Sequence, residues 1–586
     1  MSVFSSVLYR RPRKSKFNLS FENKLSMNLG DLVPVFCKET LPGDRFKVNT
    51  EQVLRFAPML APVMHRVKVY MHYFFVPNRI LWNKWEDFIT GGRLGTETPA
   101  VPYFLHSDLL GSHLETRQHF FLNGSLTDYL GVPTLSEDDY SNNRISLLPF
   151  LAYQQVYNDY YRDQNLTAEV EWDKDMEGEV TNEELLAEVL KLRRRCWEKD
   201  YFTSSLPFAQ RGEDVTIPLD FGNDGKMQVK YQNTAFTQGE GTVFRNPADG
   251  TAITTAGLVV TGGTDGRARK TDAANNNKIG EITIGQQGIT QPVNNNTMSF
   301  GTTKNLDIDN SDNLYIDVEE NNANLLLNDI RVSERIQEWL ERNARGGARY
   351  IEQILSHFGV VGDDARLQRA EYLGGGSQPV IFSEVTQTSS GTESSALGDF
   401  AGHGVSLGNT MSFNRKFKEH GFVIGIMSIM PRTSYQQGLS RMFTRFDKFD
   451  YYFPEFAELG EQEVKERELY CVRSIADGVH EAQTLEELND ETFGYQQRYA
   501  EYKYNPSEVH GDFRSSLNYW HMGRIFGNRE GSENEGVPRL NQDFVESHPT
   551  NRIFNVVSEN YNKVYVNLYH NFTAIRPMPR HAVPTI

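Results

Sequence analysis

The sequence predicts a mainly β protein that carries a few helices. Three observations support that reading. Aromatic residues make up 12% of the 586-residue chain, and such side chains favour strands and bury large areas. Two long segments alternate apolar and polar residues with the period of a strand. A third segment is apolar throughout, over the length of a buried strand.

Val63 to Pro77 is the first alternating segment. Val67, Val69, Met71, Tyr73 and Phe75 share one face, and Arg66, Lys68, Tyr70, His72 and Phe74 the other. Pro58, Pro62 and Pro77 bracket it, where a missing backbone donor is tolerated. Lys563 to Ile575 alternates too, with Val564, Val566, Leu568 and Phe572 opposite Tyr565, Asn567, Tyr569 and Asn571. Phe422 to Met430 is continuously apolar, which predicts a strand covered on both faces.

The helical signals are fewer. Pro149 to Arg162 places Phe150, Tyr153, Tyr157, Tyr160 and Tyr161 near helical spacing. Ser333 is placed to cap a helix carrying Ile336, Trp339 and Leu340. Gly346 and Gly347 interrupt it, and Tyr350, Ile351, Ile354, Leu355 and Phe358 restart the stripe. Glu183 to Lys199 is charged and amphipathic. All these stripes read as core packing. Gly374 to Gly376 reads as a turn, since no Lys-Ser/Thr pair follows to make a phosphate cradle.

Two segments stand apart in composition. Arg10, Arg11, Arg13, Lys14 and Lys16 fall within seven residues, and no helical or strand period surrounds them. They read as an extended basic arm. Residues 221–320 contain 39 Gly, Asn or Thr residues and neither Trp nor Cys. Short β-prone pieces alternate there with turn formers such as Asn275 to Asn277. This predicts a β-rich surface insertion with little core of its own.

Several chemistries are set aside. Cys37, Cys196 and Cys471 are odd in number and far apart, unlike a disulfide framework or a Cys-based zinc site. No run reaches the roughly 18 apolar residues of a membrane span, and the first residues turn basic where a signal peptide would be apolar. Membrane insertion is therefore not expected. There is no GxxxxGK[ST], HExxH, GxSxG or paired CxxC. His65/His72 and His106/His113 are seven apart, a spacing that puts strand residues on opposite faces, so they read as structural. Asp307 to Asp312 lacks the glycine and terminal glutamate of a calcium loop. No catalytic residue, metal site or cofactor is expected. The net charge of −17 argues against a surface that grips nucleic acid everywhere.

Longer stretches carry a resemblance. They are Leu41-Pro-Gly-Asp44; Met64-His65 with HYFFVPNRILWNKWEDFITGG from His72; LPFLAYQQVYNDYYRDQNL from Leu148; and ARGGARYIEQILSHFGVVGDDARLQRAEYLGGG from Ala344. Glu419 to Gln462, with DYYFPEFAELGEQ, and FGYQQRYAEYKYNPSEVHGDFRS from Phe493 complete the set. Together and in this order they resemble the major capsid protein of gokushoviruses, small icosahedral single-stranded DNA phages of the microvirus family. The poorest match is residues 221–320.

The resemblance implies an eight-stranded viral jelly roll with long loop insertions. Its parts would be a basic arm over 1–20, a first jelly-roll part with helical insertions over 21–220, a variable surface insertion over 221–320, and the remainder over 321–586. It implies sixty copies in a shell around circular single-stranded DNA, with threefold and fivefold contacts between copies. The insertion is then a threefold protrusion that meets a host surface receptor. The protein would be made in the bacterial host cytoplasm and reside in the virion.

Sixty chains at −17 each cannot neutralise packaged DNA, so positive material is expected between them. A small basic packaging protein is one source. The other is the arm, with Arg10, Arg11, Arg13, Lys14 and Lys16 on phosphates. Tyr9 and Phe17 would then stack on unpaired bases, each worth about 1–3 kcal/mol. The alternative for the arm is that it ties neighbouring subunits together. Asp450 to Pro454 and the Tyr157 to Arg162 helix read equally as subunit interface or subunit core. The rival functions are a β-sandwich carbohydrate-active enzyme and a surface adhesin. Sizing the expressed protein separates them from a shell.

Overall fold

The computed structural model describes residues 13–93, 96–105, 122–133, 143–212, 215, 229–231, 267–271, 278–284, 298–300, 314–316, 327–347, 349–361, 363–386, 400–471, 485–527, 537–558 and 561–581. The strands in chain order are β1 (Ser15–Asn18), β2 (Phe21–Met27), β3 (Val33–Thr40), β4 (Arg45–Phe56), β5 (Val67–Pro77), β6 (Tyr103–Leu105) and β7 (Arg144–Ser146). There follow β8 (Val229–Tyr231), β9 (Arg267–Thr271), β10 (Lys278–Ile284), β11 (Met298–Phe300) and β12 (Leu314–Ile316). The last are β13 (Glu371–Pro379), β14 (Ile381–Thr386), β15 (Phe400–Lys416), β16 (Gly421–Pro431), β17 (Glu461–Lys465), β18 (Thr492–Gln497) and β19 (Val564–Arg576). The protein is mainly β, as its aromatic content and alternation predict.

The chain divides into two compact units, Met1–Asp214 with Gln337–Ile586, and Val215–Ile336. In the first, two antiparallel sheets share a core. One is ordered β1-β19-β4-β15-β14, with β2 also paired to β19; the other is β13-β5-β16-β3. The chain changes sheet between β3 and β4, again between β4 and β5, and again between β15 and β16. Phe46, Val48, Leu54, Met411, Val566 and Phe572 from the first sheet meet Val69, Met71, Tyr73, Val423, Met427 and Ile429 from the second. The two alternating segments thus bury the faces that periodicity assigned to them.

The second sheet is covered on its far side as well. Phe74, Val76, Phe422, Ile424 and Ile426 pack with the helix Leu148–Val156 and with Leu81, Trp82 and Phe104. Every residue of β16 is buried, which is why that segment is apolar without alternation.

Some local expectations are corrected. The helix from Leu148 changes to a π-turn at Tyr157–Tyr161. Ser333 is no cap: the helix runs from Leu327 to Gly346 and holds Ser333 inside. Only Glu183–Val189 of the Glu183 to Lys199 stretch is helical, capped by Asn182. Gly374 to Gly376 lie inside β13, not in a turn. A Cβ on Gly375 would sit 2.3 Å from the Met71 carbonyl oxygen, so close strand approach selects glycine there. At Gly347, φ is +100°, and the helix does break as expected before resuming at Tyr350–Phe358.

The second unit, Val215–Ile336, contains the whole 221–320 segment. Its described strands form one sheet ordered β11-β10-β9 and a β12-β8 pair. Asp307 to Asp312 lies outside the described residues, as do His106 and His113.

Candidate assembly and genome-facing surfaces

The arm is divided by the structure. Arg10, Arg11 and Tyr9 lie outside the described residues. Arg13 is exposed. Lys14 donates from Nζ to the Gly43 carbonyl at 2.8 Å. Gly43 belongs to the Leu41-Pro-Gly-Asp44 turn between β3 and β4, where φ is +95° and the Asp44 amide donates to the Leu41 carbonyl at 2.9 Å. Glycine adopts that backbone without steric penalty.

Lys16 is not in a loose tail. It sits in β1, whose register pairs Lys16 with Ile575 and Phe17 with Ala574. Ala574 is a buried core position, so Phe17 points away from the face that Lys16 occupies. Alternation along β1 thus sends the Lys16 and Phe17 side chains to opposite sides of the sheet.

The face that holds Lys16 is the open side of the first sheet. Register brings Arg45 of β4 opposite Ile575 and Lys416 of β15 opposite Arg45. Lys16, Arg45, Lys47, Asn49, Asn414 and Asn571 line an open cleft of about 840 Å³. Arg45 Nε donates to Asn414 Oδ1 at 2.9 Å. Further along the same face, Lys24, Arg55, Val53 and Tyr565 line a second cleft of about 540 Å³. A row of Glu22, Tyr569 and Glu51 lies between them. Apart from Lys16, these cations were missed from sequence. They are scattered over hundreds of residues, and only the outward parity of β4, β15 and β19 signals them.

The aromatic stretches part company. Tyr157 is buried, and Tyr160 donates to the Ala370 carbonyl at 2.6 Å under the Arg369 guanidinium. Tyr161 OH meets His72 Nδ1 at 2.8 Å. These rings are subunit core. Burial holds the Tyr157 and Tyr161 hydroxyls protonated, far above their usual range. The 439–459 stretch is different: Phe446 is 90% exposed, and Met442, Phe443, Phe449, Tyr451 and Tyr452 are all exposed.

The helix pair supplies a second exposed apolar set. Trp339, Tyr350, Leu355, Phe358, Val360 and Val361 are exposed. The expectation that these stripes are core is corrected. An amphipathic period shows that a face needs a cover, not that the cover belongs to the same chain.

His65 and His521 are held by backbone carbonyls. His65 Nε2 lies 2.6 Å from the Arg432 carbonyl. His521 Nε2 meets the Phe513 carbonyl at 2.8 Å. Cys37, Cys196 and Cys471 are free thiols, and burial pushes the Cys37 and Cys196 thiols up to about 12 and about 11, where no reactive thiolate forms at neutral pH. Among the described residues no group of three His, Cys, Asp or Glu could hold a metal ion, and no helix is long and apolar enough to cross a membrane.

Comparison with known proteins agrees with this arrangement. The family described as capsid protein (F protein) matches residues 5–586. Capsid protein VP1 of Chlamydia phage 1 is 34% identical over 99% of this chain and 97% of the relative. Capsid protein VP1 of Bdellovibrio phage phiMH2K is 32% identical over 97% of this chain and 95% of the relative. The VP1 of Spiroplasma virus 4 is 28% identical over the same shares. The match spans nearly the whole chain and the relatives are capsid proteins along nearly their full length, so this is a structural capsid protein of the virion, and the chain belongs to the phage capsid protein (F protein) family.

Proposed function

We propose that this chain acts by self-assembly alone, sixty copies closing into an icosahedral shell around circular single-stranded DNA. Its two-sheet sandwich is read as the eight-stranded jelly roll of such shells, with β1 of the N-terminal arm and β2 added to the first sheet through β19. The observation that carries the reading is the exposed apolar surface at Met442 to Phe453. A single soluble chain rarely leaves so many large apolar side chains together in water, whereas a subunit interface needs them.

Arg10, Arg11, Arg13, Lys14 and Lys16 are assigned to phosphate contact on the genome side. Residues 221–320 are assigned to host attachment at the threefold axes. A small basic packaging protein supplies the remaining counter-charge.

The test is a double variant, Phe443→Ser with Phe446→Ser. Both side chains are exposed in the subunit, so folding stability should move by no more than about 0.5 kcal/mol. Circular dichroism should stay native, while sedimentation shows loss of the megadalton particle. Shells of wild-type size and yield from the variant would remove these residues from the interface.

A further inference from the structure

We propose that the open face of the first sheet, to which the N-terminal arm contributes only Lys16, is a binding platform for unpaired DNA. The inference rests on the reading that the shell encloses single-stranded DNA, and it names where on the folded chain the strand lies.

Charge is the first argument. The chain carries −17 overall. Yet this face gathers Lys16, Lys24, Arg45, Lys47, Arg55 and Lys416 against Glu22 and Glu51. Local inversion of sign on an acidic protein marks a place where an anion is met. Among the described residues no carboxylate pairs with Lys16, Lys47, Arg55 or Lys416, while Lys24 meets Glu22 at 2.9 Å. Exposed and unpaired, the four cations keep their charge for an outside partner.

Shape and chemistry are the second argument. The cations line two clefts along one sheet rather than a convex surface. Between Lys47 and Arg55, both outward on β4, the strand runs about 26 Å at its usual rise per residue. That is a track rather than a point. Asn49, Asn414 and Asn571 supply amide donors and acceptors in the first cleft. Tyr565 is 52% exposed and stands across from Arg55 in the second. A cationic groove with an exposed ring beside it is how proteins hold single strands without reading sequence. A basic protein partner is disfavoured by the same charges.

The experiment uses the full-length chain and a labelled thirty-nucleotide oligothymidine, followed by fluorescence anisotropy between about 50 and 200 mM salt. The variant Lys47→Gln, Arg55→Gln, Lys416→Gln leaves the arm intact. It should bind about tenfold more weakly or worse, and the slope of log K against log salt should fall by about 2, since each lost phosphate contact on a single strand removes about 0.7. Tyr565→Ala should cost about tenfold at any salt concentration, as a lost stacking partner does. A gain is also expected, which misfolding cannot mimic: Glu22→Gln with Glu51→Gln should tighten binding.

Unchanged affinity and slope in the triple variant, or no gain in the glutamate variant, would overturn the platform. Capture of a lysine-rich peptide in preference to the oligothymidine would overturn it too. Sedimentation of the same preparations reads assembly independently. Wild-type protein that binds the oligothymidine but never forms particles would sink the shell reading and leave the platform standing.

Discussion

Replacing His570 by Gln removes a fully buried imidazole from the middle of the sandwich. His570 lies on β19 with its ring 4.9 Å from Phe21 and 5.4 Å from Phe36. Its Nδ1 is 2.8 Å from Thr50 Oγ1, which also bonds Tyr73 OH. Burial drives its pKa down to about 4, with the Lys38 charge acting the same way and a backbone bond to Val35 opposing. In the unfolded chain the group titrates near 6.5. The folded state therefore binds the proton less readily than the unfolded state. The stability linked to the neutral ring is complete above about pH 6.5 and is lost as pH falls toward 4. Between pH 7 and pH 5 the unfolded ring becomes nearly fully charged while the folded one stays mostly neutral, a difference of about 2 kcal/mol. His65 and His72 are also lowered to about 4 by burial, but they are common to both proteins and cancel in the comparison. The assay is urea unfolding of dissociated subunits at the two pH values. Wild type should lose about 2 kcal/mol more than His570→Gln on going from pH 7 to pH 5. Mass spectrometry of imidazole C2-proton exchange reads the His570 pKa directly. Equal losses in the two proteins, or a measured His570 pKa near 6.5, would refute the reasoning.

Two further substitutions test the sandwich itself. Phe572→Ala opens a cavity where Phe46 and Phe36 meet that ring at 4.9 and 5.4 Å, and should cost about 3–5 kcal/mol in urea unfolding. Gly375→Ala forces a methyl against the Met71 carbonyl oxygen, so soluble folded subunit should fall sharply, whereas Gly359→Ala meets nothing within 4 Å and has only its left-handed φ of +68° to strain it, so it should cost about 1–2 kcal/mol and still yield folded subunit.

The alternation in Val63 to Pro77 and Lys563 to Ile575 was enough to assign their buried faces, because a strand's side chains obey a period of two whatever surrounds it. The unbroken apolar run of β16 likewise announced cover on both sides. The triple glycine was misread for a physical reason: glycine serves a turn and a close strand approach equally, and only the Met71 carbonyl decides which. The stripes of Trp339, Leu355 and Phe358 show the same limit, since a helical period cannot say whether the covering surface is intramolecular. Arg10 to Lys16 could be found as a cluster because they are adjacent in sequence. Arg45, Lys47 and Lys416 could not, because only the pairing of β4 with β15 sets them side by side. Local spacing thus determined strands and their faces. Which distant strands became neighbours, and therefore which charges share a surface, depended on long-range pairing that no short window of sequence contains.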